Sequence, residues 1–164
     1  MTLESLCLSL LKEQNRTFAS AESCTGGLIA KRITDLPGSS AVFMGGVVSY
    51  TNAVKAGVLS VPQALLDVHG AVSEEVGRSM AENARRIAGA DFGLSTTGVA
   101  GPDKDERGNE VGTVFISLAS PNGTVCREMH YGSIGREAIR ERAADTAFNM
   151  LCRALRGLDP MGEI

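Results

Sequence analysis

The sequence predicts an α/β fold, a three-layer α/β/α sandwich around a mixed sheet of about five strands, on three observations. Helical and strand-like segments alternate over the first hundred residues, a hairpin pattern with a Pro121-Asn122-Gly123 turn follows, and a long amphipathic segment closes the pattern. The alternation implies parallel strands covered by helices, and the hairpin implies an antiparallel pair. With 164 residues the chain has the length of a single domain, spanning 1–164.

Each element has its own signal. In 2–14, Leu3, Leu6, Cys7 and Leu10 share one helical face opposite Ser5, Ser9 and Lys12. Residues 17–21 alternate small and apolar side chains as a short strand does, and Thr25-Gly26-Gly27 opens a helical pattern through Leu28, Ile29, Ile33 and Leu36. Strand, tight turn and helix in that order expose backbone N–H groups at the helix start. A second strand is predicted over 43–50, helical segments over 52–59 and 62–68 with Gly70 as the stop, and a long helix over 73–89. Ser73 is its expected N-cap, with Glu74 and Glu75 in the first turn. Residues 91–97 read as the third strand, and 98–111, rich in glycine and charge, as a loop longer than most compact-domain connections, a length often found at functional sites. The hairpin joins Val114, Ile116 and Leu118 to 124–131, and the last helix, 136–155, buries Ile139, Ala143, Ala147, Met150 and Leu151.

Composition excludes several classes. Apolar residues at 43% and charged residues at 21% suit a folded chain with a core. The longest uncharged run, 36–54, is broken by Pro37 and by Gly38, Gly45 and Gly46, so no membrane span is read. The first residues lack the basic start of a signal peptide, and the cytoplasm is the expected compartment. A net charge of −3 and aromatics at only 4% argue against a nucleic-acid partner. The arginines of the last forty residues are interleaved with Glu128, Glu137, Glu141 and Asp145, as on a paired helix face. No two of Cys7, Cys24, Cys126 and Cys152 have zinc-site spacing, and no metal site is expected. Neither a G-x-x-x-x-G-K-[ST] nor a G-x-G-x-x-G after a strand occurs. Neither His69 nor His130 lies in a recognisable catalytic setting.

The informative cluster is Ala21-Glu22-Ser23-Cys24-Thr25-Gly26-Gly27, which puts a hydroxyl, a thiol and two glycines where strand becomes helix. A nucleophile there would meet N–H donors able to hold an oxyanion. Capping of the helix by Ser23 or Thr25 accounts for the same residues. Cys24 is a second candidate nucleophile or a small buried residue. A serine needs a base, and of the four lysines only Lys55 sits in apolar company, among Ala53, Val54, Ala56, Gly57 and Val58. Burial would bring its pKa toward neutrality, whereas snorkelling to solvent would leave it an ordinary lysine. Ser9 and Lys12 match a serine–lysine spacing but share the polar face of the first helix.

Five blocks read together carry a resemblance: Ala21-Glu22-Ser23-Cys24-Thr25-Gly26-Gly27, Tyr50-Thr51-Asn52-x-x-Lys55, His69-Gly70-Ala71-Val72-Ser73, Thr97-Gly98-Val99-Ala100-Gly101-Pro102 and Val111-Gly112-Thr113-Val114. In this order, over about 21–142, they resemble the nicotinamide-nucleotide amidase family, the C-terminal domain of the competence-damage-inducible protein CinA. The resemblance implies hydrolysis of nicotinamide mononucleotide to nicotinic acid mononucleotide and ammonia in pyridine-nucleotide salvage, without metal or cofactor. It places the serine nucleophile on Ser23 and the lysine base on Lys55. The oxyanion-holding turn then falls on Thr25, Gly26 and Gly27. Tyr50 and Asn52 are candidates for the nicotinamide side, Tyr50 equally for packing at a strand end, and Gly98, Ala100 and Gly101 suit either a backbone close to the ligand or turn positions alone. Arg136 and Arg140, four apart, are candidates for the phosphate, Arg140 being the favoured one. Many relatives carry a separate pyrophosphatase domain ahead of this one, and the chain looks like the free-standing form. Relatives usually show Gly-Asp-Arg where this chain has Ile134-Gly135-Arg136, so an acidic partner for the arginine is missing. That departure keeps open a non-catalytic nucleotide-binding or regulatory module on the same fold. A small domain with its site near a surface groove is expected to form a homo-oligomer.

Overall fold

The computed structural model describes residues 1–163. Its elements, in chain order, are α1 (Leu3–Gln14), β1 (Phe18–Glu22), α2 (Leu28–Thr34), a single 3-10 turn (Ser39–Ala41), β2 (Phe43–Val48), α3 (Asn52–Gly57), α4 (Gln63–His69), α5 (Glu74–Ala88), β3 (Phe92–Gly98), β4 (Thr113–Ser120), β5 (Gly123–His130) and α6 (Arg136–Leu155). The five strands form one mixed sheet in the order β2-β1-β3-β4-β5. β1 runs parallel to β2 and β3, while β3, β4 and β5 are successively antiparallel.

The helices cover both faces. On one, α1, α2 and α6 pack Leu11, Ile29, Ile33, Ala147 and Phe148 against Phe18, Leu94 and Ile116. On the other, α5 sets Val76, Met80 and Ala84 against Ala19 and Ala21, with Leu59 and Leu66 completing the layer. α5 lies so close to the sheet because Gly93 has no side chain: a Cβ there would collide with the main-chain carbonyl of Ala81.

The caps follow the sequence signals. Ser73 accepts a hydrogen bond from the Val76 N–H at 3.3 Å, and Gly89 ends α5 in the left-handed conformation. Boundaries shift by one or two residues in β2, α3 and β3, and by three at the start of α2. The helix expected from Thr25 begins at Leu28, because Gly26 (φ 60°) and Gly27 (φ 103°) hold a turn that residues with a Cβ rarely adopt. The loop between β3 and β4 is anchored rather than free. Arg107 reaches across to donate to the carbonyls of Leu66, Asp67 and Val68 at the end of α4. No helix among the described residues is long and apolar enough to cross a membrane.

Gly93→Ala should destabilise the protein by about 1–3 kcal/mol, since only backbone movement relieves the clash with α5. Urea denaturation would show it as a lower midpoint at an unchanged slope.

Candidate active site

The three mutually parallel strands, β2, β1 and β3, all deliver their carboxyl ends to one place. β1 ends at Glu22, and the next residue, Ser23, stays tied to the sheet through its N–H, which donates to the Thr96 carbonyl at 2.9 Å. Beyond β2, the Ser49 N–H donates to the Glu22 carbonyl at 2.8 Å, and Thr51 then caps the short helix α3. That helix turns Lys55 inward. Its Nζ donates to Ser23 Oγ at 2.9 Å and to the Ser49 carbonyl at 2.7 Å.

Lys55 is 1% exposed. The snorkelling geometry that composition allowed is therefore overturned, and the reason is the position of α3 over the carboxyl ends of the strands. Burial penalises the ammonium and pulls the Lys55 pKa down to about 8, against a smaller opposing effect of Cys24. About one lysine in ten is then neutral at pH 7, and a neutral amine beside Ser23 Oγ can accept its proton. Cys24 behaves oppositely. Burial pushes its thiol up to about 12, against a smaller lowering by its hydrogen bond with Thr96, so the thiolate is scarce at neutral pH.

Neither Ser23 nor Thr25 caps α2. The N-cap is Gly27, with no side-chain cap bond, and the Thr25 hydroxyl donates to Glu22 Oε1 at 2.7 Å and accepts from Thr96 Oγ1 at 2.7 Å. The first turn of α2 is instead held by the Glu22 carboxylate, which accepts from Ile29 N–H at 2.8 Å and Ala30 N–H at 3.1 Å. Within the turn, Gly26 N–H donates to Ser23 O. The N–H groups of Cys24, Thr25 and Gly27 have no acceptor among the described residues.

A cavity of about 490 Å³ opens over the pair. Of the residues singled out in the sequence, Ser23, Cys24, Tyr50, Asn52, Lys55, Gly98, Ala100, Gly101 and Arg136 line it. Thr25, Gly26, Gly27 and Arg140 do not. The structure separates the two arginines. Arg140 is spent on the turn, donating to the Thr25 carbonyl at 2.9 Å, and its guanidinium fills the space that a side chain on Gly26 would need. Arg136 stands at the cavity and donates to the Tyr50 hydroxyl at 2.7 Å and the Gly101 carbonyl at 2.6 Å. Both acceptors are neutral, so its orientation does not depend on an acidic neighbour at position 134 or 135.

Sequence patterns assign no role to Glu22, or to Asp103, Asp105 and Glu106, which the β3–β4 loop brings to the cavity wall. The acid in an otherwise small and apolar strand was the available signal for Glu22. For the loop acids no spacing could have served, because loop conformation alone places them. Among the described residues no three His, Cys, Asp or Glu side chains are grouped to hold a metal ion.

Against known proteins, residues 1–155 match the CinA C-terminal domain. The chain belongs to that family. It is 48% identical over 158 residues to a CinA-like protein of Geotalea uraniireducens, covering 96% of this chain and 37% of the relative. A CinA-like protein of Geobacter sulfurreducens is 49% identical over 155 residues, with 94% and 37% covered. The chain thus spans little more than a third of the length of these curated relatives. Among solved structures, the competence/damage inducible protein CihA from Agrobacterium tumefaciens superposes with a TM-score of 0.88 at 39% identity, covering 94% of this chain and 95% of that one. A CinA superfamily protein from Klebsiella pneumoniae gives 0.90 at 29% identity, with 96% and 99% covered. The α/β sandwich is therefore shared across CinA superfamily structures, whose names speak of competence and damage rather than of a reaction.

The Lys55 shift makes the stability of the CinA domain pH-dependent. Unfolded lysine titrates near 10.4 and folded Lys55 near 8, so between these values the unfolded chain binds more protons and stability rises with pH. Below pH 8 the full penalty applies, on the order of 3 kcal/mol. Relative to Lys55→Met, which has no such titration, the wild type should lose stability as the pH falls from 10 to 7. Melting temperatures of the two proteins that stay parallel over this range would contradict the burial of Lys55.

Proposed function

We propose that this CinA-family chain is a serine amidase that hydrolyses the carboxamide of nicotinamide mononucleotide to nicotinic acid mononucleotide and ammonia. The observation that carries the reading is the 2.9 Å contact between Ser23 Oγ and the Nζ of a fully buried lysine. A hydroxyl beside a lysine of depressed pKa is an activated nucleophile.

The reaction would run in two halves. Neutral Lys55 takes the Ser23 proton as Oγ attacks the amide carbon, and the carbonyl oxygen becomes an oxyanion that the free N–H of Cys24, the turn residue lining the cavity beside Ser23, would hold. Protonated Lys55 then gives its proton to the departing nitrogen, and ammonia leaves the acyl-enzyme. In the second half Lys55 activates water, which attacks the ester carbon, and Ser23 leaves with the proton returned to it. The carbonyl of Ser49 keeps Nζ in place throughout.

Nicotinamide mononucleotide carries a cationic pyridinium ring and an anionic phosphate. The cavity offers both counterparts: Arg136, whose hydrogen-bond acceptors are neutral, and the acids Asp103, Asp105 and Glu106. Tyr50, bonded to Arg136, and Asn52 border the same space and would flank the nucleotide.

Purified protein is expected to release ammonia from nicotinamide mononucleotide in the presence of chelator. Ser23→Ala should reduce this by on the order of 10⁴-fold or more, while Cys24→Ala retains it. The rate should climb about tenfold per pH unit up to about 8 and level off above it, because the base must be neutral. A folded wild type that binds the nucleotide yet releases no ammonia at any pH would favour a non-catalytic binding module instead.

A further inference from the structure

Glu22 is 1% exposed at the end of a strand whose other residues are Phe18, Ala19, Ser20 and Ala21. A carboxylate so deeply buried is costly unless its oxygens are well supplied with donors. Here the donors are neutral: the Thr25 hydroxyl and the Ile29 N–H on Oε1, and the Ala30 N–H on Oε2. Both amides belong to the first turn of α2, where no helical acceptor exists for them and the aligned peptide dipoles favour negative charge. The side chain therefore grips the chain on the far side of the 23–27 turn, while its own backbone enters that turn from β1.

The main chain of the same residue supports the other half of the pair. The Glu22 carbonyl accepts the Ser49 N–H at 2.8 Å, and the Ser49 carbonyl accepts Lys55 Nζ at 2.7 Å. Glu22 is thus bonded both to the arm that carries the nucleophile and to the arm that carries the base. It does not line the cavity, so it acts through Ser23 and not on substrate.

We propose that Glu22 is a positioning residue for the Ser23–Lys55 pair, its carboxylate clamping the 23–27 turn onto α2 so that Ser23 Oγ stays within hydrogen-bond reach of Lys55 Nζ. This rests on the reading of that pair as nucleophile and base. A glutamine at position 22 has nearly the same shape but only one acceptor oxygen. Whichever way its amide points, an NH2 group faces a donor, either the Ala30 N–H or the pair formed by Thr25 and Ile29. The turn must then shift, and displacement of a nucleophile by about 1 Å costs on the order of 10²-fold in rate.

Two readouts test this together: labelling of Ser23 by a fluorophosphonate probe, which needs no knowledge of the natural substrate, and ammonia release from nicotinamide mononucleotide. In Glu22→Gln the labelling rate constant and kcat should both fall by about 10²-fold, with KM within about threefold. The acid limb of the pH profile should stay where the wild type has it, and labelling should still run to one probe per chain. A residue that served stability alone would instead lower the endpoint, through loss of folded protein, and leave the rate constant unchanged; that outcome overturns the proposal. So does a rate constant within threefold of wild type. If Glu22→Gln does not fold, Thr25→Val, which cuts the Thr25 link to the carboxylate from the other side, carries the test, and wild-type labelling there overturns it equally. Labelling of wild type at Ser23 without any ammonia release would refute the nucleotide substrate and leave the role of Glu22 to be judged by the labelling rates. Absence of labelling in folded wild type would refute the Ser23–Lys55 pair, and Glu22 with it.

Discussion

A lysine buried to 1% exposure is tolerable only if its polar head is hydrogen-bonded, and the geometry around Lys55 is arranged to that end. Its Nζ has two acceptors, Ser23 Oγ and the Ser49 carbonyl, and both are fixed by strands rather than by flexible side chains. Ser23 is held on Thr96 of β3, and Ser49 on Glu22 of β1. The same burial that costs stability lowers the pKa of the amine, so the property a general base would need and the strain on the fold have one physical origin.

The sheet order explains why these residues meet. β1 lies between β2 and β3 and is parallel to both, so the chain leaves β1 toward one side and returns on the other. In open α/β sheets such a reversal leaves a crevice beyond the carboxyl ends of the strands. Here Ser23 follows β1, Ser49 and Tyr50 follow β2, and Gly98 ends β3. The antiparallel strands β4 and β5 extend the sheet away from this crevice and lead into α6, whose first residue, Arg136, reaches the cavity.

Much of this was legible along the chain. The periodicities of α5 and α6, the Ser73 cap, the Asn-Gly hairpin turn and the strand at 92–98 are local signals, and local backbone preferences survive into the structure. Local pattern left Ser23 open to helix capping and Lys55 to snorkelling, and the family motifs taken together are what single the two out. Their burial was not legible: α3 is only six residues long, and whether its lysine faces in or out depends on where the helix lands on the sheet. The two arginines show the same limit. Spacing makes Arg136 and Arg140 equivalent as a fork, yet one points to the cavity and the other to the carbonyl of Thr25.

The sequence by itself determined the alternation of helix and strand and the turns that end them, because each depends on side chains within a few positions of one another. Tertiary structure alone decided the environment of those groups. The 2.9 Å contact of Lys55 with Ser23 spans 32 residues, and the bond between Arg140 and Thr25 spans 115. Desolvation, and with it the pKa of a lysine or a thiol, is set by everything packed around the group, which no local stretch of sequence encodes.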